Sequence, residues 1–111
     1  MGDLALLVQD QIDITPNSLT DLHTCAAGRT EDITVYICNR GAATTFRLSL
    51  AMAGAADDLK QYIYYGSALP ANDSLKETFT INQNDVIRAW VAVAATVSAS
   101  VLVNDSKTLA T

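Results

Sequence analysis

Thr44-Thr45-Phe46-Arg47-Leu48-Ser49-Leu50 decides the fold, because Phe46, Leu48 and Leu50 alternate with Thr45, Arg47 and Ser49. Successive side chains on a β-strand point to opposite faces, so this run sets one apolar face on a core and one polar face in water. The same period recurs on both sides of it. Upstream, Ile33, Val35 and Ile37 alternate with Thr34, Tyr36 and Cys38, a strand whose outer face is only partly polar. Downstream, Leu75, Glu77, Phe79 and Ile81 share one side, with Glu77 as the misfit. Ile87, Ala89, Val91 and Val93 share a face, and Val97, Ala99, Val101 and Val103 repeat it after Ala94-Ala95-Thr96, which reads as a hairpin. Weaker strand patterns cover residues 4–14, 20–25 and 61–65. The pair 20–25 and 33–38 reads as a second hairpin around Ala27-Gly28-Arg29.

Between these segments lie Thr15-Pro16-Asn17-Ser18, Gly28, Asn39-Arg40-Gly41, Ala53-Gly54, Leu69-Pro70-Ala71-Asn72-Asp73 and Asn82-Gln83-Asn84-Asp85. Gly and Asn tolerate positive φ, Asp and Ser bond their own backbone, and Pro presets φ, so each is a turn. Residues 51–60 are alanine-rich and have helical preference, but Gly54 weakens it, so a loop or a single turn is expected. Seven or eight short strands at this spacing predict an all-β, antiparallel β-sandwich or jelly roll. Residues 1–111 form one domain in this reading, with 1–14 as an N-terminal strand or assembly arm.

Composition fits a packed domain. Half of the residues are hydrophobic and 17% are charged, far more apolar material than a disordered chain carries. The longest apolar stretch, residues 89–103, is broken by Thr96, Ser98 and Ser100, which argues against a membrane-spanning helix. Met1-Gly2-Asp3 opens with an acid, and the run Leu4–Val8 is too short for a signal-peptide core, so synthesis in a cytosol is expected. The net charge is −5, and the seven cations are scattered with no two adjacent. A nucleic-acid surface needs clustered cations, so no nucleic-acid partner is expected.

The residue inventory offers little for catalysis. A single histidine, His23, rules out a multi-histidine metal site or a His-based acid–base pair within one chain, and an edge-strand histidine with a satisfied hydrogen bond is the simpler reading. Cys25 and Cys38 lack metal-ligand spacing. Placed on the supposed hairpin they are too far apart for a disulfide, so both are expected as reduced, small core residues. The pairs Glu31-Asp32 and Asp57-Asp58 read as solvated turn residues, with a loop calcium site as the alternative. The five glycines are isolated, so no phosphate loop is present. No enzyme activity and no cofactor are expected.

The positive signals concern contacts. Tyr62-Ile63-Tyr64-Tyr65 holds three of the four tyrosines, and strict alternation pairs Tyr62 with Tyr64 on one face and Ile63 with Tyr65 on the other. Tyrosines suit interfaces as well as ordinary strands. Trp90 lies on the Arg88 and Ala92 side of its strand, as an outer-surface anchor or part of a second core. Leu4, Ala5, Leu6, Leu7 and Val8 run without alternation, which implies burial on both faces: a central strand of the domain, or a segment added to a neighbouring subunit. The candidate interface residues are Leu4, Leu6, Leu7, Val8, Tyr36, Tyr62, Tyr64, Tyr65 and Trp90.

The block Val35-Tyr36-Ile37-Cys38-Asn39-Arg40-Gly41, Thr44-Thr45-Phe46-Arg47-Leu48, Lys60-Gln61-Tyr62-Ile63-Tyr64-Tyr65 and Leu69-Pro70-Ala71-Asn72-Asp73-Ser74 resembles small structural proteins of tailed-bacteriophage particles. The resemblance spans about residues 31–93. It departs at Gly66, where such relatives often carry Asp after the tyrosines. It implies an accessory head-decoration, tail, neck or baseplate component that acts as a homo-oligomer with other virion proteins, located in the virion after synthesis in a host cytoplasm. A carbohydrate-binding module stacking glycans on Trp90 and the tyrosines is the alternative.

Overall fold

The computed structural model describes residues 9–92 and 96–108. Eight strands run in chain order: β1 (Gln9–Asp13), β2 (Thr20–Thr24), β3 (Arg29–Asn39), β4 (Thr44–Ala51), β5 (Tyr62–Leu69), β6 (Ser74–Asn82), β7 (Val86–Val91) and β8 (Val97–Thr108). They form two four-stranded antiparallel sheets, the first in order β1-β8-β3-β6 and the second in order β2-β7-β4-β5. This is the strand order of a jelly roll. The all-β sandwich expected from the alternation is the fold observed, and the described residues contain no α-helix. The link between β4 and β5 is a loop with two 3₁₀ turns, Met52–Gly54 and Leu59–Gln61, as the glycine in this alanine-rich stretch implied.

Both expected hairpins are corrected. β2 pairs with β7 while β3 pairs with β6 and β8, and β7 and β8 lie in different sheets. Of the strands next to one another in sequence, only β4 and β5 pair. A period-two pattern states which face of a strand is buried but not which sheet the strand joins. The apolar faces of β7 and β8 are indeed both buried, but they meet across the core instead of lying side by side.

The core is the set of faces the alternation marked. Ile33, Val35 and Ile37 of β3 and Val97, Ala99, Val101 and Val103 of β8 pack against Phe46 and Leu48 of β4 and Ile87, Ala89 and Val91 of β7. Each such large side chain contributes about 1.5–3 kcal/mol when fully buried. Ile81 and Leu69 close the far side. The described part of the segment 4–14 bears out a strand from Gln9 onward, on the edge of the first sheet. Leu4, Leu6, Leu7, Val8 and Val93 lie outside the described residues.

At one end of the sandwich Asn39 is completely buried. Its Nδ2 donates to the carbonyls of Ala42 (2.8 Å) and Pro70 (3.2 Å), and its Oδ1 accepts from the Gly41 amide (3.0 Å). The Asn39 amide donates to the Asp73 carbonyl at 2.8 Å. The Asn39-Arg40-Gly41 and Pro70-Ala71-Asn72-Asp73 pieces of the recognised block are therefore two halves of one hydrogen-bonded corner.

β5 departs from regular geometry in a way that matters for the surface. Arg47 pairs with Tyr65 and Phe46 with Ser67, leaving Gly66 as an extra residue; Leu48 pairs with Tyr64 and Ser49 with Tyr62, leaving Ile63 extra. These are two β-bulges. Gly66 has φ of 70°, a conformation that costs a residue without a side chain little. Gly66 thus lies within a strand and not in a turn after the tyrosines.

Candidate functional site

Two groups of side chains stand out, one on the outer face of the second sheet and one between the sheets. On the outer face, Arg47 of β4 is the register partner of Trp90 on β7 and of Tyr65 on β5. Its guanidinium carbon lies 4.3 Å from the centroid of each ring, so the cation is stacked between an indole and a phenol. Tyr62 extends the row, meeting Tyr65 edge to face with centroids 5.0 Å apart. The bulges cause this. Two extra residues in β5 turn both Tyr62 and Tyr65 outward, and Tyr64 inward, where strict alternation would have placed Tyr62 with Tyr64.

Tyr64 instead packs against Phe46 (5.1 Å between centroids), and its hydroxyl donates to Glu77, the one polar residue on the inner side of β6. That bond holds the Tyr64 hydroxyl above its ordinary pKa. The Tyr62 hydroxyl donates to Asp57 at 2.8 Å; burial and then Asp57 push its pKa up, with Arg47 opposing them. Tyr36 is exposed on the other sheet, beside a shallow cavity of ≈ 150 Å³ lined by Gln11, Ser100, Val101 and Leu102. The structure therefore brings Trp90, Tyr65 and Tyr62 together, and sets Tyr36 and Tyr64 apart from them. Arg47, which the sequence reading treated only as the polar side of a strand, is the centre of the group.

Between the sheets, His23 of β2 bridges to two carboxylates of the first sheet. Nδ1 is 2.7 Å from Asp10 Oδ2 on β1 and Nε2 is 2.7 Å from Glu31 Oε1 on β3. His23 and Glu31 are buried, whereas the Asp10 side chain is 47% exposed. A bulge at Leu22 makes this possible, since it turns Leu22 and His23 both inward where alternation would expose one. Ionised carboxylates only accept hydrogen bonds, so the imidazolium alone satisfies both partners. Burial lowers the His23 pKa, but the bonds and attraction to Asp10 and Glu31 outweigh it and the net displacement is upward.

Two expectations are corrected here. Glu31 is not a solvated turn residue but a buried strand residue that pairs with the histidine. Cys38 is not a core residue; it is exposed, while Cys25 is buried, and both are free thiols. Burial, followed by Glu31, pushes the Cys25 thiol up to about 12, so it stays protonated and is a poor nucleophile. The arrangement of Cys25, His23 and Glu31 is therefore a structural clamp in its chemistry: the base has no vacant nitrogen and the thiol is not activated. Among the described residues no group of three or more His, Cys, Asp or Glu side chains is placed to hold a metal ion.

No family model matches the chain, and no curated protein sequence does either. Among solved structures, a protein of Bacillus endospore appendages, described as a novel family of disulfide-linked pili, is similar in fold. It is 13% identical, with a TM-score of 0.54, and the match covers 99% of this chain and 95% of that one. The likeness thus takes in the whole sandwich and not a fragment of it.

Proposed function

We propose that the chain is a non-enzymatic structural subunit that assembles with copies of itself. The observation that carries this reading is the distribution of exposed apolar and aromatic residues. Tyr65, Ile63, Met52, Leu59 and Tyr36 lie exposed on outer faces, an edge strand and a loop. Among the described residues the two sheets are also open, with β1, β6, β2 and β5 at their edges, and open edges invite added strands. The whole-chain fold likeness to a pilus-type appendage protein supports the same role. On this reading the apolar run Leu4–Val8 supplies a strand to a neighbouring subunit's edge.

A narrower form of the reading sets this assembly in the particle of a tailed bacteriophage, as a head-decoration, tail, neck or baseplate part made in the host cytoplasm. The block from residue 31 to 93 supports it. A glycan-stacking module is less well supported, because Arg47 already covers one face of both Trp90 and Tyr65.

The test is light scattering and electron microscopy of the purified chain over a range of concentrations, with and without residues 1–9. Oligomers or filaments from the full chain and a folded monomer from the truncated one are expected. A full chain that stays monomeric throughout would overturn the proposal. Mass spectrometry of purified phage particles tests the narrower form, and consistent absence would remove it.

A further inference from the structure

Arg47 is held as an anchor without its anion. Contacts with the Trp90 and Tyr65 rings restrain the guanidinium, and its Nε is buried with no hydrogen-bond partner, so a docking anion would meet the terminal nitrogens. Arg29 is engaged by Ser106, Arg40 by Asp13, and Arg88 by Asp21 and the Ala55 carbonyl, whereas Arg47 interacts with the neutral Tyr62 hydroxyl. Among the described residues no carboxylate lies at ion-pair distance from Arg47. A planar, pre-oriented fork of N–H donors is the geometry that takes a carboxylate in two parallel bonds. Trp, Tyr and Arg together are also the composition of the energetic centre of protein interfaces.

The complementary charge is present on the opposite face of the same molecule. Asp32 of β3 and Asp105 of β8 are register partners next to a bulge at Asn104, so two carboxylates sit side by side on the outer face of the first sheet. Like charges directly across a strand pair repel. Asp32 accepts only a neutral hydroxyl, from Thr80 at 2.7 Å, and Asp105 has Lys107 at 3.4 Å. An added arginine would relieve that repulsion.

We infer that the outer face of the second sheet, centred on Arg47 between Trp90 and Tyr65, docks on the Asp32 and Asp105 face of a second copy. This deepens the self-assembly reading and rests on it. The two surfaces differ, so the contact is head to tail, and each bound copy leaves one surface of each kind vacant for the next. Contacts of that kind build rings or open arrays.

Trp90 is the sole tryptophan, so its emission reports directly on this face. On assembly of the wild-type chain, the emission shifts to the blue as the partner covers the indole. Arg47→Asp and the milder Arg47→Gln, each shown by circular dichroism to be folded, raise the concentration for half-assembly by more than about tenfold, as loss of an interface hot spot does. The double variant Asp32→Arg, Asp105→Arg fails to assemble alone, but it associates in an equimolar mixture with Arg47→Asp, because its own Arg47 surface meets the unaltered Asp32 and Asp105 surface of the other variant. If the wild-type chain assembles with no change in Trp90 emission, or folded Arg47→Asp and Arg47→Gln assemble as wild type, this inference is overturned and the self-assembly reading stands. If the mixture of folded charge-swapped variants does not associate, the assignment to Asp32 and Asp105 is overturned. A wild-type chain that never assembles removes the underlying reading instead.

Discussion

Replacing His23 by alanine tests the account of the sandwich interior most directly. The substitution removes the partner of Glu31, which is 2% exposed, and leaves a carboxylate buried without its cation. Breaking a buried ion pair from one side costs about 3–5 kcal/mol. The bond to Asp10 adds little, because that carboxylate is half in water and such pairs contribute about 0.2–1 kcal/mol. His23→Ala is therefore expected to lower stability by about 3–5 kcal/mol at pH 6, a fall in Tm of roughly 12–20 °C at about 4 °C per kcal/mol. Asp10→Asn is expected to cost less than about 1 kcal/mol. Replacing both His23 and Glu31 by leucine removes the two charges together and is expected to be close to neutral, since apolar replacement of a whole buried pair often is.

The pH dependence follows from the direction of the His23 shift. Its folded pKa lies above the unfolded value of about 6.5, so the folded state holds the proton more tightly. The stabilisation is complete below about pH 6.5 and is lost as pH rises through the folded value. Urea unfolding followed by circular dichroism at half-unit steps from pH 5.5 to 9 should show stability of the wild-type chain declining in that window, with the decline absent in the double leucine variant. An alanine variant that costs under 1 kcal/mol at pH 6, or no more than Asp10→Asn, refutes the clamp.

Thiol chemistry gives a second expectation: at pH 8 one cysteine per folded chain, the exposed Cys38, reacts with iodoacetamide, and Cys25 reacts only on unfolding, as mass spectrometry of the alkylated chain would show. Gly66→Ala meets no atom within 4 Å, so its cost is conformational alone, roughly 1–2 kcal/mol for an L-residue at positive φ, and it is expected to change Trp90 emission by displacing Tyr65 if the bulge rearranges. Asn39→Ala leaves the Ala42 and Pro70 carbonyls and the Gly41 amide without their partner at a fully buried position, and a loss of more than about 2 kcal/mol in urea unfolding is expected.

What was legible in the sequence, and what was not, divides along one physical line. Side-chain alternation is a local property, and it marked the buried apolar residues of β3, β4, β7 and β8 where those strands keep period two, although Ser49, read as facing water, is fully buried and Leu50 only partly so. Sheet membership depends on pairings between segments far apart in the chain, such as Thr44–Ala51 with Val86–Val91, and alternation is the same whether two strands lie side by side or face each other. That is why the two hairpins were misplaced. The functional surface was hidden by something narrower. A bulge changes the face of every residue beyond it, and three extra residues, Leu22, Ile63 and Gly66, reassign His23, Tyr62 and Tyr65. Of these only Gly66 carries a sequence signal, a glycine in a run otherwise suited to a strand, and the resemblance marks the same position as a departure. Had the bulge been read there, Tyr65 would have stood on the outward face beside Arg47, but Tyr62 joins it only through the second bulge, at Ile63, which no residue type marks. The step from that register to a stacked arginine needs only the pairing of Arg47 with Trp90, which alternation alone does not state.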